Sequence, residues 1–306
     1  MSRRIGLGVQ TLIPTSLDQW TQEVIIKLLT LGHYESEYFD FKETLPHTKD
    51  DGAKQRLRLS CAAFANSSGG FLVFGVTNAS ADTVEERLVG FPRSLDFPEH
   101  FGSHPAACEP AVLWTFKNPP IPLASGNVVH VVHIPRSWTA PHCLSVSGGA
   151  KRFPKRTHKG NEEMSYEEIR LMFLQYYEKR LKLQLLRSEL ETIKRTSLIL
   201  AVPEQELGTR DPRGEYSLTV LETVLADTYT ILAQLVPLLT LLTSTRSLCS
   251  QVNQEIQRWT PVAYLDMLDK VSLRSSHNRY INAQGIQIRT CCDGAIQMLD
   301  EFLSKA

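Results

Sequence analysis

The sequence predicts an α+β fold: a mixed, largely antiparallel sheet with flanking helices, followed by an all-helical domain. Two observations predict the first half. Phe71-Leu72-Val73-Phe74-Gly75-Val76 is a continuous apolar run of strand length, as expected of a strand covered on both faces in the middle of a sheet. Shorter alternating or apolar runs lie on either side of it, up to about residue 165. A third observation predicts the second half: beyond Asn161 apolar residues recur at helical spacing as far as Leu303. Three regions follow. They are an N-terminal helix within 1–33, a mixed domain over 34–165, and a helical domain over 166–306 suited to oligomerisation or effector sensing.

The elements can be taken in order. Ser16 and Gln19 make a capping-box pattern, and Trp20, Val24, Leu28 and Leu31 follow at helical spacing until Gly32. Tyr38 to Lys42 alternates, so Phe39 and Phe41 share one strand face while Tyr38, Asp40 and Lys42 share the other. Ala53 to Ala65 reads as a helix, with Leu57, Cys61 and Phe64 on one stripe and Lys54, Arg56 and Arg58 in its first turns. Asn66 to Gly70 ends it in a turn that leads into the apolar run. Ala111–Phe116 and Val128–Ile134 read as strands, and a last strand is expected near Lys151 to Arg156. Ser165 and Glu168 cap a long helix running from Tyr166 to about Lys194. Pro203, Gly208, Pro212 and Gly214 mark a polar loop. Tyr216 to Leu303 is helical, with breaks expected at Pro237, Pro261 and Ser275 to Asn278.

Composition sets limits on function. Lys plus Arg equals Asp plus Glu at 33 each, so any basic surface must be local. Six cysteines with no Cys-x-x-Cys pair, and no secretory signal pattern, fit reduced thiols in the cytoplasm, with the nucleus also compatible. The uncharged stretch Thr228 to Ser244 holds Gln234 and Pro237 and is short for a membrane span, which suits a buried, kinked helix. No membrane is expected as a partner.

Asp40 and Lys42 place a carboxylate and an ammonium side by side on one strand face. Such a pair suits phosphodiester cleavage: the carboxylate holds Mg²⁺ or Mn²⁺ and the lysine steadies charge building on phosphate. A second acid is required, and Glu35 can supply it from the preceding loop if the chain bends between them. Lys151-Arg152-Phe153-Pro154-Lys155-Arg156-Thr157-His158-Lys159 is the densest basic stretch. Its cations around an aromatic suit a nucleic-acid backbone, with Lys151, Arg152, Lys155, Arg156 and Lys159 as contacts.

The ordered set of Glu35, Asp40-Phe41-Lys42, Ala63-Phe64-Ala65-Asn66 with Gly69-Gly70, and Arg156, Gly160 and Met164-Ser165 with Glu168-Ile169 resembles the Schlafen AlbA-like domain family. The resemblance covers about 130 residues and does not extend to the helical remainder. It implies a nucleic-acid-binding protein and, by likeness to the Schlafen endoribonucleases, a metal-dependent cut in structured RNA such as tRNA. Glu35 matches the family's first acid, and Asp40 is a shorter acid at the second. Asn78 stands where the third is an Asp. Its amide oxygen can ligate a metal but brings no charge, which puts cleavage in doubt; Asp82 lies nearby in sequence. The family's eukaryotic members also carry a zinc site, which His104, Cys108, His142 and Cys143 resemble. Bacterial members are described as ATP-binding, but no Walker lysine motif is present. Eukaryotic members pair two lobes into a clamp, so this single lobe implies a homodimer. The alternatives are a non-catalytic nucleic-acid-binding regulator of RNA or DNA and a helical adaptor in a larger assembly.

Overall fold

The computed structural model describes residues 13–32, 36–47, 49–77, 83–145, 149–232, 235–262 and 270–304. They form two compact units, Met1–Leu174 and Gln175–Ala306.

The first unit is built on a mixed sheet. Strand β1 (Phe39–Lys42) pairs in parallel with β2 (Gly69–Phe74), and helix α2 (Asp51–Asn66) makes the crossover between them. β2 pairs antiparallel with β5 (Val128–Pro135), whose partners are also β3 (Thr115–Phe116) and β4 (Ile121–Pro122). β2 is buried at every residue, as its unbroken apolar run requires. Alternation sorts its side chains between two cores. Phe71 and Val73 join Phe39, Phe41, Val129 and Val131 beneath helix α1 (Gln22–Thr30) and Trp20. Leu72 and Phe74 join Val132 and Ile134 beneath α2 and helix α3 (Phe97–Ala106). Asp40 sits between Phe39 and Phe41 and therefore faces the α2 side.

Several expectations need correction. Ser16 caps nothing; Thr15 instead donates through its backbone N and its Oγ1 to Gln19 Oε1. A single 3₁₀ turn follows, and the helix proper starts after Thr21, whose Oγ1 accepts from Val24 N at 3.3 Å. Residues 111–114 are not strand: Val112 N donates to Pro105 O, tying this segment to the end of α3 instead of to the sheet. The expected strand at Lys151 to Arg156 is two strands in separate ladders. β7 (Lys151–Arg152) pairs with β6 (Leu144–Ser145), and β8 (Pro154–Thr157) pairs with β9 (Gly160–Glu163). Phe153 separates them because its N donates to the Glu163 side chain at 2.6 Å.

The turn into β2 depends on glycine. Gly69 has φ +76°, and a Cβ there would stand 2.6 Å from Arg136 N and 2.8 Å from Ile134 O. Gly69→Ala is expected to destabilise this unit by about 1–3 kcal/mol, read as a lower thermal midpoint.

His130 on β5 stacks on Phe97 at 4.1 Å between centroids and is buried, which pushes its pKa down to about 4. The unfolded chain therefore binds more protons between pH 4 and the ordinary value of about 6.5. Stability from this group is full above that range and lost as the pH falls through it. A loss of about 2 kcal/mol is expected at pH 5 relative to pH 7.5, and His130→Leu should lack this part of the pH dependence in denaturant titrations.

Helix α4 (Tyr166–Leu200) starts in the first unit and continues in the second from Gln175, where α5 (Thr219–Leu232), α6 (Val236–Val262) and α7 (Lys270–Ser304) follow. The Ser165–Glu168 capping box forms as expected, with Ser165 N donating to Glu168 Oε2 at 2.8 Å and Glu168 N to Ser165 Oγ at 3.3 Å. Leu183, Leu186, Leu190 and Ile193 of α4 pack with Leu221, Leu242, Ile288 and Leu299 in one core. Pro237 lies in the first turn of α6, where a missing N–H costs nothing, so it starts a helix instead of kinking one. The break expected at Ser275 to Asn278 is absent, because α7 runs through it. Asn278 is buried there and donates to Leu207 O and Arg210 O at 2.8 Å each, while Arg274 Nε donates to Asp211 at 2.7 Å. The polar cluster that reads as a helix breaker thus holds down the preceding loop. Among the described residues no helix is long and apolar enough to cross a membrane.

Candidate nucleic-acid interface

Asp40 is only 3% exposed, and two cations stand against its carboxylate. Lys42 Nζ lies 2.7 Å from Oδ2, and Arg156 Nη1 lies 3.6 Å from the same oxygen. The burial follows from the fold. The strand face that carries Asp40 is roofed by α2 and the β8–β9 ladder, so it is not a solvated face.

Arg156 is also buried, and β8 aims it inward. Its Nε donates to Ser36 O at 2.9 Å, Nη1 to Asn161 Oδ1 at 3.0 Å and Nη2 to Phe39 O at 3.3 Å. The guanidinium carbon sits 4.9 Å above the Phe64 ring centre. Its backbone N donates to Ser67 Oγ at 2.8 Å. Asn161 in turn donates to Ser60 Oγ at 3.0 Å. Arg156 therefore ties β1, α2 and β9 together from within. The expectation that it contacts phosphate does not match this placement, because its donors are taken up by the protein.

Asn66 does similar work one turn away. Its Nδ2 donates to His142 O and Pro154 O at 2.8 Å each, and its Oδ1 accepts from His142 N at 2.6 Å. Sequence reading placed Asn66 in a turn and missed this role. Its partners lie 76 and 88 residues away, beyond any local pattern.

The other expected contacts are on the surface of the β6–β9 region. Lys151 pairs with Glu109, Arg152 Nε lies 3.0 Å from Glu163, and Lys155 Nζ lies 2.6 Å from Glu168. Glu109 and Glu168 are held below the usual carboxylate range first by hydrogen bonds from Lys151 and Lys155. His158 and Lys159 are exposed in the β8–β9 turn. These ion pairs are solvated and weak, so a polyanion can displace the carboxylates.

Glu35, Asn78 and Asp82 lie outside the described residues. Of the expected acids, Asp40 alone can be placed, and its surroundings do not fit a Mg²⁺ or Mn²⁺ ligand. Both cations stand on Oδ2, so a divalent cation on that oxygen would meet two positive groups within 4 Å.

The proposed zinc set is buried but not assembled. Cys108 Sγ is 3.7 Å from Arg58 O and 3.9 Å from His104 O, with its pKa pushed up to about 12, first by burial. His142 Nδ1 lies 2.6 Å from Pro110 O. Burial lowers the pKa of His142 and brings that of His104 down to about 4. His104 Nδ1 and His142 Nε2 are buried without a partner. Cys143 meets Glu109 in an isolated bridge next to Cys108. Among the described residues no three His, Cys, Asp or Glu side chains form a group that could hold a metal ion, so His104, Cys108, His142 and Cys143 do not fit a closed zinc site in this arrangement.

Residues 35–165 match the family model described as Schlafen, AlbA_2. The match spans the sheet, α2, α3 and the β6–β9 ladders, and it ends just before α4. A domain of this type is associated with nucleic-acid binding. No curated protein matches the chain.

Proposed function

We propose that the Schlafen AlbA_2 domain binds nucleic acid through the exposed β6–β9 surface, and that Asp40 builds the fold instead of holding a catalytic metal. The chain is then a non-catalytic nucleic-acid-binding module in this domain. The observation that carries the reading is the sealed Asp40 carboxylate, with Lys42 at 2.7 Å and Arg156 at 3.6 Å. Lys151, Arg152, Lys155 and Lys159 remain on the surface as phosphate contacts, and Arg156 leaves that set because it is buried. Metal-dependent cleavage of tRNA is the second reading. It is favoured by the partly exposed Lys42 beside Asp40.

Binding can be read by fluorescence anisotropy of labelled single-stranded and hairpin RNA across a salt series. The Lys151→Glu, Lys155→Glu, Lys159→Glu triple variant is expected to bind at least ~10-fold more weakly, with a salt slope shallower by about one per lost contact. Equal affinity and slope in wild type and variant would rule this surface out.

A further inference from the structure

Strands β3 and β4 pair with the same side of β5, but not in one register. β3 sets Thr115 opposite His133 and Phe116 opposite Val132, and Lys117 N still follows that register by donating to Val131 O at 2.8 Å. Continued, it would set Asn118 opposite His130 and Pro119 opposite Val129. Instead Ile121 stands opposite Val129 and Pro122 opposite Val128. Two residues are therefore extra on this side, and Asn118-Pro119-Pro120 forms a bulge beside His130. Neither proline has an N–H to give the ladder. Between the bulge and the start of α3 lies a cavity of about 690 Å³, a size typical of small-molecule sites. His130 lines it, is only 7% exposed, and keeps its Nε2 buried without a hydrogen-bond partner.

We propose that this cavity binds a small aromatic carboxylic acid. The lining selects that class. Phe116, Pro120 and Val128 give it apolar walls against which a flat ring can pack. Arg93 also lines it, exposed and with no ion pair among the described residues. Its planar guanidinium matches the two oxygens of a carboxylate. Asp96 stands in the same lining and opposes a second negative charge, which disfavours phosphate esters. His130 is neutral at pH 7 because burial lowers its pKa, so it does not compete with Arg93 for the carboxylate. A buried ring nitrogen is costly to leave unpaired, and a polar substituent on the ligand's ring is a partner for it. The inference is independent of the nucleic-acid reading, since it uses no residue of the β6–β9 surface.

The test uses the full chain without nucleic acid, with naphthoate as the probe. Calorimetry is expected to give a dissociation constant below ~1 mM. Affinity should be at least ~10-fold higher than for naphthalene methanol, which has the ring but no charge, and higher than for naphthyl phosphate. Arg93→Gln should abolish the preference for the acid over the alcohol and leave the thermal midpoint unchanged, because Arg93 is exposed and makes no ion pair among the described residues. Amide shifts on adding naphthoate should centre on Ser94, Leu95 and Asn118, which line the cavity. Absence of naphthoate binding, equal affinity for acid and alcohol, tighter binding of the phosphate ester, an unaltered preference in Arg93→Gln, or shifts centred elsewhere overturns the proposal.

Discussion

Arg156→Ala is expected to destabilise the mixed domain by about 3–5 kcal/mol. The variant strips the buried Asp40 carboxylate of one of its two cations, leaves Ser36 O and Asn161 Oδ1 without the guanidinium donor, and leaves Phe39 O with Ser36 N alone. Lysine should recover little of this, since it lacks the planar fork that reaches three acceptors at once and the flat face laid over Phe64. Asp40→Asn in the Arg156→Ala background should return part of the loss, because the uncompensated charge goes with it. Hydrogen exchange of the β1 and β2 amides is the suitable readout, since it reports this domain apart from the helical unit. Near-equal protection in wild type and Arg156→Ala would mean that the buried network contributes little.

Asn66→Ala is the second large effect, at about 3 kcal/mol or more. Three buried backbone groups lose their partner at once: His142 N, His142 O and Pro154 O. Each unsatisfied group costs about 1–3 kcal/mol, less what water recovers. Asn66→Asp should be no milder. It still accepts from His142 N but turns a charge toward two carbonyl oxygens. Because Asn66 holds the segments at 142 and 154 together, protection should fall in β6 and β8 as well as at the end of α2.

The two predictions show where sequence reading works and where it stops. The sheet's central strand was legible because a strand buried on both faces leaves no polar residue in its run. The long helices were legible because their core faces repeat at helical spacing. Asp40 was legible as a notable residue but not as a buried one: alternation assigns it a face, while the roof over that face comes from α2 and from β8, more than a hundred residues downstream. Arg156 reads as one cation among several in a basic stretch, and only the inward aim of β8 separates it from Lys155. Asn278 and its neighbours read as a helix breaker, since short polar residues favour loops until a loop elsewhere uses them as anchors.

The central claim is that the domain binds nucleic acid while Asp40 serves the fold. The most direct test incubates end-labelled hairpin RNA with the wild-type chain and with Asp40→Asn in Mn²⁺, and follows retention and integrity on the same gels. Circular dichroism on both proteins fixes how much of each is folded. The account predicts retarded, intact RNA with the wild type, and retention by Asp40→Asn in proportion to its folded fraction. Cleavage by the wild type that vanishes in a folded Asp40→Asn protein would contradict it.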